Sequence, residues 1–168
     1  MIAMLFFLLL ASTVSGPADV ESLTAISDAV VHASVVRTSS AWGKGGGQIF
    51  TAVVLRPIET WKGDPQGEIT VVVPGGSIGE LSQTVSGVAE FKAGEEVVVF
   101  LREKSVGSGV YSVERLGLGK FAVGAPSGLP KRAVRDRKGL DCVGCAASEN
   151  DDLSLDELRA RVLRSARK

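Results

Sequence analysis

The sequence predicts a mainly β protein, a barrel or sandwich of short strands with a short helix before it and an amphipathic helix after it. Six segments between residues 29 and 123 are rich in β-branched and aromatic residues. Clusters of Gly, Pro and Asp, which supply the backbone geometry of turns, separate them. Helical spacing of apolar side chains is confined to one stretch on each flank.

The chain opens on an apolar run from Ile2 to about Val14, followed by the small residues Ser15, Gly16 and Ala18. As a helix that run is roughly 20 Å long, against about 30 Å for a bilayer core, so it is too short to span. It has the pattern of a secretory signal peptide over residues 1–18, cleaved after Gly16 or Ala18, with Ala18 preferred because Pro17 is a poor first residue. No Cys follows the run to carry a lipid. The mature chain is therefore expected to be secreted or periplasmic, without a transmembrane anchor.

Next, Val20 to Asp28 places Leu23, Ile26 and Val30 at helical spacing and predicts a short helix leading into the first strand. The predicted strands are Ala29 to Arg37, Gln48 to Arg56, Glu68 to Val73, Glu96 to Arg102, Val110 to Leu116 and Lys120 to Val123. Alternation puts Ile69, Val71 and Val73 on one face, and Tyr111 with Val113 on another. The run Val97 to Leu101 is apolar on both faces, which predicts a central strand covered on both sides. Turns fall at Gly43 to Gly47, Asp64 to Gly67, Pro74 to Gly76, Lys92 to Gly94 and Gly107 to Gly109. Residues 19–124 thus form one β domain. Residues 125–150 lack periodicity and read as a loose linker. In residues 151–168, Ser154 and Glu157 form a capping box, and Leu155, Leu158 and Val162 line one side of a helix from about 153 to 166.

Several of these segments, in order, resemble the netrin-like or TIMP-like module and exported bacterial proteins of unknown function. They are Ser27 to Val31, Glu59 to Asp64, Ile69 to Val73 and Phe91 to Leu101, and the resemblance covers about residues 19–123. It implies a small closed or partly open antiparallel barrel of OB or netrin-like type. In the metalloprotease inhibitors of that family, the N-terminal Cys of the mature chain binds the enzyme's zinc, and disulfides staple the barrel. The only cysteines here are Cys142 and Cys145, so the inhibitory wedge has no counterpart.

Nineteen basic and nineteen acidic residues cancel, which argues against a nucleic-acid or polybasic membrane binder as a whole, although the chain after Gly124 is mildly basic and the body mildly acidic. Cys142-Val143-Gly144-Cys145 reads first as a small disulfide loop in an exported chain, contributing about 2 kcal/mol by loop entropy. A thiol-redox turn and a zinc site shared between two chains are the alternatives. His32 lies mid-strand with no nucleophile elbow in the sequence, and Gly43 to Gly47 departs from the phosphate-loop order. Neither supports catalysis, and no cofactor is implied. The long excursion Pro74 to Gly87 offers Glu80, Ser82, Gln83 and Thr84 as a partner-binding loop. The expected function is a non-catalytic binding module outside the cytoplasm, recognising a protein or surface polymer. The alternatives are a netrin-like protease inhibitor or chaperone, and a thiol-redox enzyme.

Overall fold

Two fourteen-residue strands, β2 (Ala29–Trp42) and β3 (Ile49–Lys62), form a long antiparallel hairpin around the Gly43 to Gln48 turn. The computed structural model describes residues 12–143 and 151–167. Strand β4 (Ile69–Pro74) pairs with β3, while β7 (Glu96–Glu103) pairs with the first half of β2. The barrel shuts through β8 (Val110–Val113), antiparallel to β7 and parallel to β4. The closed order β2-β3-β4-β8-β7 has the connectivity of an OB-type barrel. Within this otherwise antiparallel barrel the β4–β8 contact is parallel. Closing five strands with this connectivity sets one pair in the same direction, and no local pattern reports it.

The interior is filled by alternate residues of the five strands, among them Val31, Ala33, Val53, Leu55, Ile69, Val71, Val97, Val99 and Leu101. Val98 and Phe100, on the other face of β7, lie under the helices in a second cluster with Leu23, Trp61, Phe121, Leu158 and Val162. This is why the run Val97 to Leu101 is apolar throughout: one face lines the barrel and the other carries the helical layer.

Helix α1 (Val20–Ile26) starts at Asp19, whose carboxylate accepts from the Ser22 N–H at 2.8 Å. Its C-terminal carbonyls are met by Lys62, whose ammonium donates to Thr24 O and Ser27 O at 2.7 Å each. Helix α2 (Leu155–Ala166) starts at Ser154, which accepts from the Glu157 N–H, and buries Leu158 and Val162 fully.

The sheet continues outside the barrel. After β8 the chain bends through Arg115 and Leu116, both at positive φ, and a 3₁₀ turn (Leu116–Gly119), then returns along β7 as β9 (Lys120–Gly124). Strand β10 (Arg132–Val134) joins β9, and β12 (Asp152–Ser154) joins β10. The stretch predicted as a loose linker therefore supplies a strand of the main sheet, with Ala133 fully buried and Arg135 4% exposed. Three residues with one inward side chain are too few to show a period.

Strand β1 (Ser12–Ser15) pairs in parallel with β11 (Leu140–Val143). Ser12 to Ala18, assigned to the signal peptide, thus includes a backbone ladder and a buried Ala18 packed on Leu118. Residues 1–11 of that segment lie outside the described residues. So does Cys145, and with it the Cys142–Cys145 pairing. The backbone of Cys142 lies in β11. No helix of the described residues is long and apolar enough to cross a membrane.

Candidate functional site

The excursion between β4 and β7 is built, not loose. Strands β5 (Gly76–Ile78) and β6 (Leu81–Gln83) form a small hairpin with Gly79 at its tip. Its base sits against the inner face of the long hairpin, where Thr51 Oγ1 donates to Gly75 O at 2.8 Å and lies 2.9 Å from Ser40 Oγ. A Cβ on Gly76, which has φ +134°, would collide with both hydroxyls. Beyond the hairpin, Ser86 Oγ donates to Gly139 O at 2.8 Å, and Gly87 O accepts from the Gly117 N–H at 2.8 Å.

The four residues predicted to contact a partner divide into two roles. Glu80, Ser82 and Thr84 are exposed. Gln83 is half-buried and faces the protein: its Oε1 accepts from the Ile49 N–H at 2.6 Å and its Nε2 donates to Gly47 O at 2.8 Å. It ties the excursion to the Gly43 to Gln48 turn and has no hydrogen-bonding group left for a ligand except its remaining lone pairs and N–H.

Residues 84–92 separate two depressions. The smaller, about 260 Å³, opens over the barrel end and is lined by Thr51, Val53, Val73, Gln83, Val88 and Phe91, among others. The larger groove, about 630 Å³, runs between this segment and the extension of the sheet. Its charged lining is Glu90, Lys92, Glu95, Lys120, Asp136 and Lys138. Lys120 is held in place: its ammonium pairs with Glu95 Oε1 at 2.6 Å, donates to Glu90 O, and lies 4.9 Å from the centre of the Phe91 ring. Lys92 and Lys138 are exposed, as is the apolar Val134 at 45%. Three cations and three carboxylates cancel, so the groove suits a surface of mixed charge better than a polyanion.

The second wall of this groove runs from Lys120 to Gly139, and its later part, from Val134, escapes sequence reasoning. Lys120 and Ala122 stand on a strand the sequence predicts, but Val134, Asp136, Lys138 and Gly139 come from the segment without periodicity, brought beside the excursion because β10 joins β9.

His32 lies on the outer face of the barrel, 6% exposed, with Nε2 2.6 Å from Glu96 Oε1. Both Glu96 oxygens also accept from Lys131, at 2.7 and 2.8 Å. Burial raises the carboxyl's affinity for a proton, but the Lys131 and His32 hydrogen bonds outweigh it and hold the Glu96 pKa below its ordinary value. The His32 ring lies 5.9 Å from Trp61, whose Nε1 donates to Glu59 Oε2 at 2.9 Å. Glu59 in turn receives a forked bond from Arg159 of α2. The Arg159 and Trp61 bonds lower its pKa to about 2. His32 thus belongs to a polar seam that docks the C-terminal segment on the barrel. Among the described residues, no three or more His, Cys, Asp or Glu side chains are placed to share a metal ion.

No family model matches the chain, and no curated protein matches it.

Proposed function

We propose that this chain is an exported, non-catalytic binding module that recognises a protein surface through the groove beside residues 84–92. The observation that carries this reading is the groove itself. Its walls are pinned by the Ser86 hydroxyl on Gly139 O and the Gly117 N–H on Gly87 O, and its charges are balanced and partly exposed. A preformed, charge-mixed groove with an exposed Val134 and Thr84 at its rim suits a protein partner, which presents both signs of charge and apolar side chains together. Export is supported by the apolar run before Ser15 and the small residues that follow it.

The test is site-directed photo-crosslinking in the compartment outside the cytoplasm. A photoreactive residue at Thr84 is expected to capture a protein. The same group at Val106, exposed on the turn before β8, is expected to capture none. Equal labelling from both positions, or no adduct from Thr84, would overturn the reading.

A further inference from the structure

We propose that two copies of this chain pair edge to edge through the outer half of β2, joining their long hairpins in one continuous antiparallel sheet. Strand β7 covers the edge of β2 only over Ala29 to Ser34, and the turn before β7 covers Val35 through the bonds of Gly94 and Glu95. From Arg37 to Trp42, beyond a bulge at Val36, the only pairing of β2 among the described residues is with β3, so among them its other edge is open. Arg37, Thr38, Ser39, Ala41 and Trp42 are exposed, the last at 47%.

The register fixes which groups point outward. The Gly43 N–H donates to Gln48 O, so pairs two residues apart from it, Ala41 with Phe50 and Ser39 with Ala52, are the hydrogen-bonded ones. Between them, Thr38, Ser40 and Trp42 turn both N–H and C=O away from β3. An open edge of this length is usually blunted by Lys, Pro or a covering segment. Here it carries neither Lys nor Pro, and one charge, Arg37.

That edge is complementary to itself. A two-fold axis through Ser39 sets Thr38 opposite Ser40 of the second copy. The outward groups of Thr38 and Ser40 then meet as two symmetric hydrogen-bonded pairs, with about two bonds per pair. Arg37 falls opposite Ala41, so the axis brings no like charges together. The interface is isologous and closed, and so ends at a dimer.

The experiment is sedimentation of the purified chain at up to roughly 100 μM, where micromolar association is visible. The expected result is a mass twice that of one chain. S39K and S39E, each placing like charges face to face at the axis, are expected to be monomers with unchanged circular dichroism. Mixing the two is expected to restore the dimer, because Lys then faces Glu. T38P removes an outward N–H that β3 does not use and is also expected to be monomeric. A monomeric native chain, a dimer that survives both S39K and T38P, or a mixture of S39K and S39E that stays monomeric, would overturn the pairing.

Discussion

The carbonyl of Ala18 accepts a 2.8 Å hydrogen bond from Nη1 of Arg135, which stands 117 positions further along the chain. Arg135 is buried, with Asp151 Oδ1 at 3.4 Å and its guanidinium 4.5 Å from the centre of the Phe121 ring. Among the described residues its Nε and Nη2 have no hydrogen-bond partner. Burial therefore lowers its pKa to about 10, with Asp151 opposing the shift. Among the described residues, Ala18 O and Asp151 Oδ1 are the acceptors of its Nη1.

Cleavage of an exported precursor should therefore fall after Gly16 and not after Ala18. A cut after Ala18 frees the residue whose carbonyl meets Arg135, and a buried cation that loses a partner is costly. Mass spectrometry of the exported chain is expected to find Pro17 as the first residue. A chain starting at Asp19 would show that Arg135 does not need Ala18.

Arg135→Ala is expected to lower stability by about 2 to 4 kcal/mol, since it empties space against Phe121 and leaves the Ala18 carbonyl unpaired. Arg135→Met keeps the packing and removes the buried charge, so its cost should stay below about 1.5 kcal/mol. Urea unfolding of the two variants decides the order. Equal losses would mean that the charge, not the volume, matters.

Gln83→Ala should act on the Gly43 to Gln48 turn, not on a ligand. It removes the acceptor of the Ile49 N–H, whose residue is 1% exposed, and the donor to Gly47 O. An unpaired buried donor costs about 1 to 3 kcal/mol. Hydrogen exchange at the Ile49 amide is expected to accelerate while partner crosslinking from Thr84 persists. Unchanged exchange at Ile49 would show that the tie is dispensable.

The Glu59–Arg159 pair gives the docking of α2 an acid limit. The folded-state pKa of Glu59, about 2, lies below its ordinary 4.5, so the pair stabilises fully above that ordinary value. The contribution is lost as pH falls from about 4.5 toward about 2. Both side chains are more than a third exposed, so solvent screening keeps the effect small. Arg159→Ala should raise the Glu59 midpoint seen by NMR titration and flatten the stability profile in that acid window. A Glu59 midpoint unmoved by the substitution would assign its shift to Trp61.

Local pattern made the body of the fold readable. Ile69, Val71 and Val73 alternate because one face of β4 meets the barrel interior, and Ser154 with Glu157 marks a helix start through bonds that span a single turn. Each of these signals lies within a few residues of chain. Edges were less readable. Strand β2 runs on past Arg37 to Trp42 because pairing with β3 continues through Thr38, Ser39 and Ser40, whose side chains carry no hydrophobic alternation.

The five barrel strands with β9, the two flanking helices, their order and the double-sided burial of Val97 to Leu101 are legible in the chain, because each depends on side chains close in sequence. Tertiary structure alone decided the parallel β4–β8 closure, the place of Ala133 and Leu153 in the core, and the groove between residues 84–92 and the extended sheet. It also turned Gln83 inward, toward the Ile49 amide and the Gly47 carbonyl. These depend on which segments, tens of residues apart, find unpaired backbone groups at the same edge. Backbone hydrogen bonds are alike at every residue, so a one-dimensional sequence does not distinguish their long-range partners.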